Sequence, residues 1–260
     1  MENKNIWLTY SAEEKEELHK ICELYKSWLD KGKTERECVE LAVELAEKAG
    51  YHNLEEYLSE ERQIQKGEKI YAVCMKKCIV LFRMGAEPIS AGMNILGAHI
   101  DSPRIDIKQN PLYEKDDFTY LDTHYYGGIK KYQWVTQPLA LHGVVVKKDG
   151  SCVNISIGER EDEPVFVITD LLVHLASKQL EKKAGEVIEG EKLDILVGNC
   201  PIERDENLKE ERETVKANVL KILEEAYGIS EEDFASAELE IVPSGKARDI
   251  GFDRSMILAY

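Results

Sequence analysis

The segment GAHIDSPR, residues 97–104, sets His99 and Asp101 two residues apart at the end of an apolar run, MNILGAHI (93–100). In a strand, positions i and i+2 share a face, so imidazole and carboxylate would look the same way. Such a pair is either a hydrogen-bonded structural histidine or a metal ligand whose ring is held by the carboxylate behind it. From the pair alone the structural reading is the simpler one. Asp106 and Asp122 are further acids, at no helix- or strand-based metal spacing. Ser102 precedes Pro103 in a turn rather than in a G-x-S-x-G elbow, which argues against a serine hydrolase.

Three other stretches hold reactive residue types. In HYYGGIKKYQWV (124–135), Gly127 and Gly128 permit close backbone approach. No phosphate-loop or dinucleotide motif is present, so the stretch reads as a loop with packed aromatics. His174, in DLLVHLASKQ, falls on a short helix after Asp170, a residue type suited to the N-cap. With Leu171, Leu172, Val173 and Leu175 around it, His174 reads as a surface histidine beside a core face. Cys74 and Cys78 form C-x-x-x-C without the second ligand pair of a zinc finger; they read as two thiols near a hairpin tip.

The elements that must position these residues show in the periodicity. Ser11-x-x-Glu14 and Thr34-x-x-Glu37 are capping boxes. The first opens a helix with Leu18, Ile21, Cys22, Tyr25 and Leu29 on one face. The second opens a helix whose apolar face, Cys38, Leu41, Ala42, Leu45 and Ala49 widened by Val39, Val43 and Ala46, predicts burial on two sides. NLEEYL adds a helical turn. KIYAVCMKKCIVLFRMG (69–85) reads as a hairpin, and MNILGAHI as a central strand covered on both faces. LALHGVVVKKDGSCVNISIG (139–158) is a hairpin around Asp149-Gly150. EPVFVIT, KLDILVG and AELEIVP (237–243) are further strands. A helix spans about Thr214 to Tyr227, with Gly228 as its stop. The charge run 203–213 reads as a solvated loop and helix start.

The chain has 260 residues, 43% hydrophobic and 32% charged, with a formal net charge of −16. That is an ordinary globular composition. Its acidity disfavours nucleic acid and anionic membranes as partners. No apolar run is long enough for a bilayer span, and the N-terminus shows no secretory signal. Six scattered cysteines form no disulfide framework, so the expected location is cytoplasmic.

GAHIDSPRIDIKQNPLY, THYYGGIKKYQWVTQPLALHGVV, TDLLVHLA and GFDRSMILAY together resemble the M18 family of zinc aminopeptidases, in its bacterial aminopeptidase I and aspartyl aminopeptidase-like branch. The likeness runs over nearly the whole chain. It implies an α/β catalytic domain with a central mixed sheet and flanking helices, interrupted by an inserted β-rich dimerisation domain. The expected boundaries are 1–104 for the first catalytic part, 105–245 for the insertion and 246–260 for the return. The resemblance implies two zinc ions that activate a bridging water against the N-terminal residue of a peptide substrate. It makes His99 a zinc ligand and Asp101 the catalytic residue that orients it. It makes His174 a catalytic residue reaching a neighbouring subunit, in dimers that build dodecamers. In the family, further acidic ligands, the general base and a histidine follow GFDRSMILAY, so the resemblance implies that a chain ending at Tyr260 lacks part of the catalytic domain and is inactive alone. The alternative is a non-catalytic self-association or assembly module.

Overall fold

The computed structural model describes residues 5–202 and 213–259. Residues 203–212 of the charge run lie outside them. The chain divides into two compact units, Met1–Asp101 with Lys246–Tyr260, and Ser102–Gly245.

In the first unit, α1 (Ala12–Lys31) opens where its capping box predicts. The Glu14 carboxylate accepts from the Ser11 amide at 2.8 Å, and the Ser11 hydroxyl accepts from the Glu14 amide at 3.2 Å. The same reciprocal pair, Thr34 and Glu37, opens α2 (Glu35–Lys48). The short strand β1 (His52–Asn53) precedes α3 (Leu54–Ser59), which Asn53 caps. The predicted hairpin follows as β2 (Lys69–Cys74) and β3 (Cys78–Arg83). β1 lies parallel to β2 and β3 antiparallel, which makes a mixed sheet of three strands. The buried Tyr71 hydroxyl of β2 donates to Glu47 of α2 at 2.7 Å. Burial and that carboxylate push the phenol up to about 12.

Three expectations in this unit are corrected. Of the apolar face of α2, only Val39 and Ala46 are buried, and Leu45 is 40% exposed. The helix packs against α1 and the β2–β3 sheet, which leaves Cys38, Leu41, Ala42 and Val43 half-buried. Ile21 and Tyr25 of α1 are likewise exposed. MNILGAHI is no strand: residues 93–100 are irregular, and Leu96 is fully exposed. A strand needs a neighbour to take its backbone donors and acceptors. Among the described residues none lies beside this segment, and it does not take the free edge of β3.

The second unit is built on one sheet. Its strands are β4 (Arg104–Lys115), β5 (Phe118–Tyr126), β6 (Leu139–Val146) and β7 (Cys152–Ile157), then β8 (Ile195–Gly198) after the short helix α4 (Ser177–Leu180). The helix α5 (Thr214–Tyr227), ended by a left-handed Gly228, and β9 (Ala237–Pro243) fall where the sequence predicts. The order is β7-β6-β9-β4-β5-β8, antiparallel throughout. EPVFVIT does not form a strand. It contributes one bridge from Phe166 to Leu139 and one from Val167 to Leu196, so no single neighbour continues its ladder.

Register gives the sheet two unlike faces. Ile157, Leu141, Ile241, Ile105 and Tyr125 stand in one row across five strands. One residue along, the row is Ser156, His142, Glu240, Asp106 and His124. Successive residues point to opposite faces, so one face is an apolar core and the other carries a polar row. Gly143, beside His142, has φ +138°, and a Cβ there would lie 2.0 Å from the Glu238 carbonyl oxygen. At the edge of the polar row, the buried Arg104 Nε bonds Asp106 at 2.8 Å and lies 3.2 Å from the buried Glu240 carboxylate. Its guanidinium carbon stands 4.2 Å from the centre of the Tyr126 ring.

The chain then returns to the first unit as a hairpin, β10 (Arg248–Ile250) and β11 (Met256–Leu258). Two contacts fasten it to α1: the Ala247 amide donates to Asp30 at 2.6 Å, and Lys26 Nζ meets Asp249 at 2.7 Å. Arg254 meets the other Asp249 oxygen at 2.7 Å. Hydrogen bonds from Lys26 and Arg254 hold the Asp249 carboxyl below its usual range.

Two predictions follow from these pairs. Arg104→Met leaves Glu240 buried without its guanidinium and is expected to cost about 3–5 kcal/mol in urea unfolding, whereas Arg104→Met/Glu240→Met recovers most of that loss. A single-variant loss below about 1 kcal/mol, the range of exposed pairs, would show that the pair is not desolvated. Because the Asp249 carboxyl is depressed in the folded chain, its contribution is present above the unfolded value near ~3.9 and is lost as pH falls through the folded value. Asp249→Asn should therefore lower the melting temperature at neutral pH and match the unsubstituted chain in strong acid. A gap that does not depend on pH would overturn this assignment.

Candidate functional site

The structure brings His99 and Asp101 into contact. His99 Nδ1 lies 3.1 Å from Asp101 Oδ1 and 3.0 Å from the Asp101 carbonyl oxygen. Both partners are acceptors, so in the neutral ring the proton belongs on Nδ1 and the lone pair on Nε2. The His99 side chain is 85% exposed and that of Asp101 39%. The pair stands on the irregular segment rather than at a strand end, yet the two side chains still meet on one side of the chain.

The other acids of the region are engaged. Asp106 is bound by Arg104, and Asp122 takes a hydrogen bond from Lys108 at 2.8 Å. That bond holds the Lys108 amine above its usual range. Among the described residues, no group of three or more His, Cys, Asp or Glu side chains could hold a metal ion. A catalytic zinc takes three protein ligands. His99 with its carboxylate fits one ligand position of such a site, and the described residues do not complete the set.

His174 belongs to the second unit. It is exposed on a single 3-10 turn, Val173–Leu175, and not on the expected helix. Asp170 does not cap that turn. Its Oδ1 accepts instead from the Leu171 amide and from Gln179 Nε2, each at 2.8 Å, which pins the loop. The expected core face beside His174 is absent as well. Leu171, Leu172, Val173 and Leu175 are 54–72% exposed, and only Ala176 beyond them is buried. One three-residue turn is too short to press four apolar side chains against a core.

Sequence reasoning passed over the buried and half-buried polar groups of the second unit. His142 Nε2 lies 3.2 Å from Glu159, and the Tyr113 hydroxyl donates to Asp194 at 2.6 Å. Burial pushes both the Tyr113 phenol and the Asp194 carboxyl up. A signal existed: His142 interrupts LALHGVVV, and AELEIVP alternates charged with apolar. A cavity of about 640 Å³ opens between the apolar sheet face and α5. Among the described residues, no carboxylate, histidine, cysteine or lysine lines it, and Asn199 and Tyr227 are its polar side chains.

Comparison with known proteins finds relatives over the whole length of the chain. Residues 28–260 match the family described as Aminopeptidase I zinc metalloprotease (M18). A probable M18 family aminopeptidase 1 of Clostridium acetobutylicum is 55% identical over 259 residues. That alignment covers 100% of this chain and 55% of the relative. The crystal structure of aminopeptidase I from the same organism superposes with a TM-score of 0.87 at 52% identity, over 99% of this chain and 56% of that one. The M18 aminopeptidase structure from Thermotoga maritima gives 0.88 at 41% identity, over 99% and 54%. The chain thus spans about half the length of the relatives it matches. A hydrogen-bonded H-x-D pair, a mixed sheet with flanking helices and this extent of identity together place the chain in the M18 aminopeptidase I family of zinc metalloproteases.

Proposed function

We propose that the protein is a zinc aminopeptidase that removes N-terminal residues from peptides. In this reading His99 is a ligand and Asp101 is the group that positions it. The observation that carries the reading is the His99 Nδ1–Asp101 Oδ1 contact of 3.1 Å in a chain of this family. Asp101 fixes the tautomer, so the Nε2 lone pair faces outward, as a metal ligand requires. When bound, zinc supplies a water acidified to near neutrality and a Lewis acid for the scissile carbonyl. A pair of ions in the complete enzyme accords with the family resemblance.

The unit Ser102–Gly245 is, in the same reading, an inserted dimerisation domain that presents His174 to a neighbouring copy. Its support is the apolar dressing of the His174 turn. Four large apolar side chains beside one histidine form an exposed patch of the kind that marks an interaction surface. The outer edge of β7, which no described strand pairs, is a further place for strand pairing. Dimers building to dodecamers, and a cytoplasmic location, complete the proposal. The acidic balance of the chain argues against nucleic-acid and membrane partners.

Two measurements test it. In the zinc-loaded complete protein, Asp101→Asn is expected to weaken zinc about 10–100-fold in chelator competition, the usual cost of losing a carboxylate behind a ligating histidine. Unchanged affinity would remove Asp101 from the site. In the assembled protein, His174→Phe is expected to lower kcat about 10²–10³-fold, the worth of one donor to a developing oxyanion, at unchanged oligomeric mass. Wild-type kcat in an assembled variant would leave His174 a surface residue.

A further inference from the structure

The β2–β3 hairpin carries a pair of thiols that the aminopeptidase reading does not use. Cys74 and Cys78 are directly opposed in the ladder, the last pair before the turn. Opposed residues of an antiparallel pair project to the same face, so the two thiols are side by side. Both residues are exposed and both thiols are free. The connecting turn is tight. The Lys77 amide donates to the Cys74 carbonyl at 3.0 Å, and Met75 and Lys76 are both left-handed, with φ 52° and 58°. Arg36 of α2 donates to the Met75 carbonyl at 3.3 Å, which holds the tip against the helix. The thiols are therefore fixed opposite each other by backbone pairing.

Geometry and charge then select a chemistry. Opposed antiparallel residues have Cα atoms about 4.5–5.5 Å apart, inside the ~4.4–6.8 Å range that a disulfide spans. The tip is also basic in a strongly acidic protein: Lys76 and Lys77 lie between the two cysteines and Arg36 beside them. A small anionic disulfide is drawn to such a place. The other cysteines lack this setting. Cys22 and Cys38 are partly buried, and burial pushes the Cys38 thiol up, away from the reactive thiolate. Cys152 is exposed but lies opposite Val146, and Cys200 is exposed outside any strand.

We propose that Cys74 and Cys78 are a redox modification site, closed to an intramolecular disulfide by exchange with an anionic low-molecular-weight disulfide. One cysteine thiolate attacks a sulfur of the small disulfide, forms a mixed disulfide and releases one small thiolate. The second cysteine thiolate attacks the protein sulfur of that mixed disulfide, closes the Cys74–Cys78 bond and releases the second small thiolate. The small disulfide is reduced by two electrons to two thiols, which take up the two cysteine protons, and the cysteine pair is oxidised by the same two electrons. The second step is intramolecular between groups already in place, so the mixed disulfide does not persist.

Tryptic mapping tests this on the folded 260-residue chain. The chain is treated with oxidised glutathione, its remaining thiols are alkylated, and it is digested without reductant. Cleavage after Lys76 and Lys77 separates the two cysteines. The expected product is therefore the 70–76 peptide joined to the Cys78–Arg83 peptide and released by reductant. Cys152 and Cys200 should carry at most single glutathione adducts under the same conditions. Cys74→Ser should convert the site to a lasting mixed disulfide on Cys78, with an unchanged circular dichroism spectrum. Separate adducts on Cys74 and Cys78, or modification no greater than at Cys152 and Cys200, would overturn the proposal.

Discussion

The antiparallel pairing of β4 with β9 is the constraint on which the plan of the chain depends. β4 begins at Arg104, just after the chain enters the second unit, and β9 ends at Pro243, just before it leaves. Ile105 stands opposite Ile241 and Asp106 opposite Glu240, so the entrance and exit of the unit are neighbouring strands at the centre of its sheet. A unit whose ends lie side by side can be carried inside another without distorting either. Arg104 marks the doorway: it is bound by one carboxylate from the entering strand and one from the leaving strand. A slip of one residue between β4 and β9 would bring Arg104 and Glu240 to opposite faces and turn either Ile105 or Ile241 out of the core.

The elements legible in the sequence were those with local causes. Two capping boxes set the starts of α1 and α2, because each satisfies its own orphan donors without help from elsewhere. Asp149-Gly150 announced the β6–β7 hairpin, and Gly228 announced the end of α5. The β4–β5 hairpin escaped notice because its turn is made by Asp116 and Asp117, both left-handed without a glycine to signal it. MNILGAHI failed for the opposite reason. Its composition is that of a buried strand, but a strand is a relation between segments, and no described neighbour supplies the other half. The exposed face of α1 has the same cause: periodicity shows which side of a helix is apolar, not what covers it.

Of the site, the part legible in the sequence was again the local part. His99 and Asp101 are two residues apart, and their contact needs only an extended backbone between them, with or without a sheet. The setting of His174 was misread because a run of leucines and a valine was taken for a core face. The chain there makes one 3-10 turn, and the same residues become a surface. The buried polar groups of the second unit were missed because burial of a charged residue is decided by distant partners. Glu240 reads as the polar half of an alternating strand until Arg104 arrives beside it from well over a hundred residues away in sequence.

The two units hold their candidate residues by different means, and that difference suits the roles proposed for them. Around His174 the pinning is polar and local: Asp170 ties the Leu171 amide to Gln179, while the apolar side chains stay outside. A loop built this way keeps its shape without burying the face it presents, as a contact surface requires. His99 and Asp101 are tied to each other by the ring-to-carboxylate contact. Their segment makes no ladder, and their ring-to-carboxylate bond orients one side chain without rigidifying the backbone beneath it. A ligand in such a segment reaches the precision of a metal site only when other ligands and a neighbouring strand restrain it. In the proposed reading of His99 as a zinc ligand, order at His99 and completion of the metal site would be one event, coupled as metal binding and folding are wherever a site is not preformed.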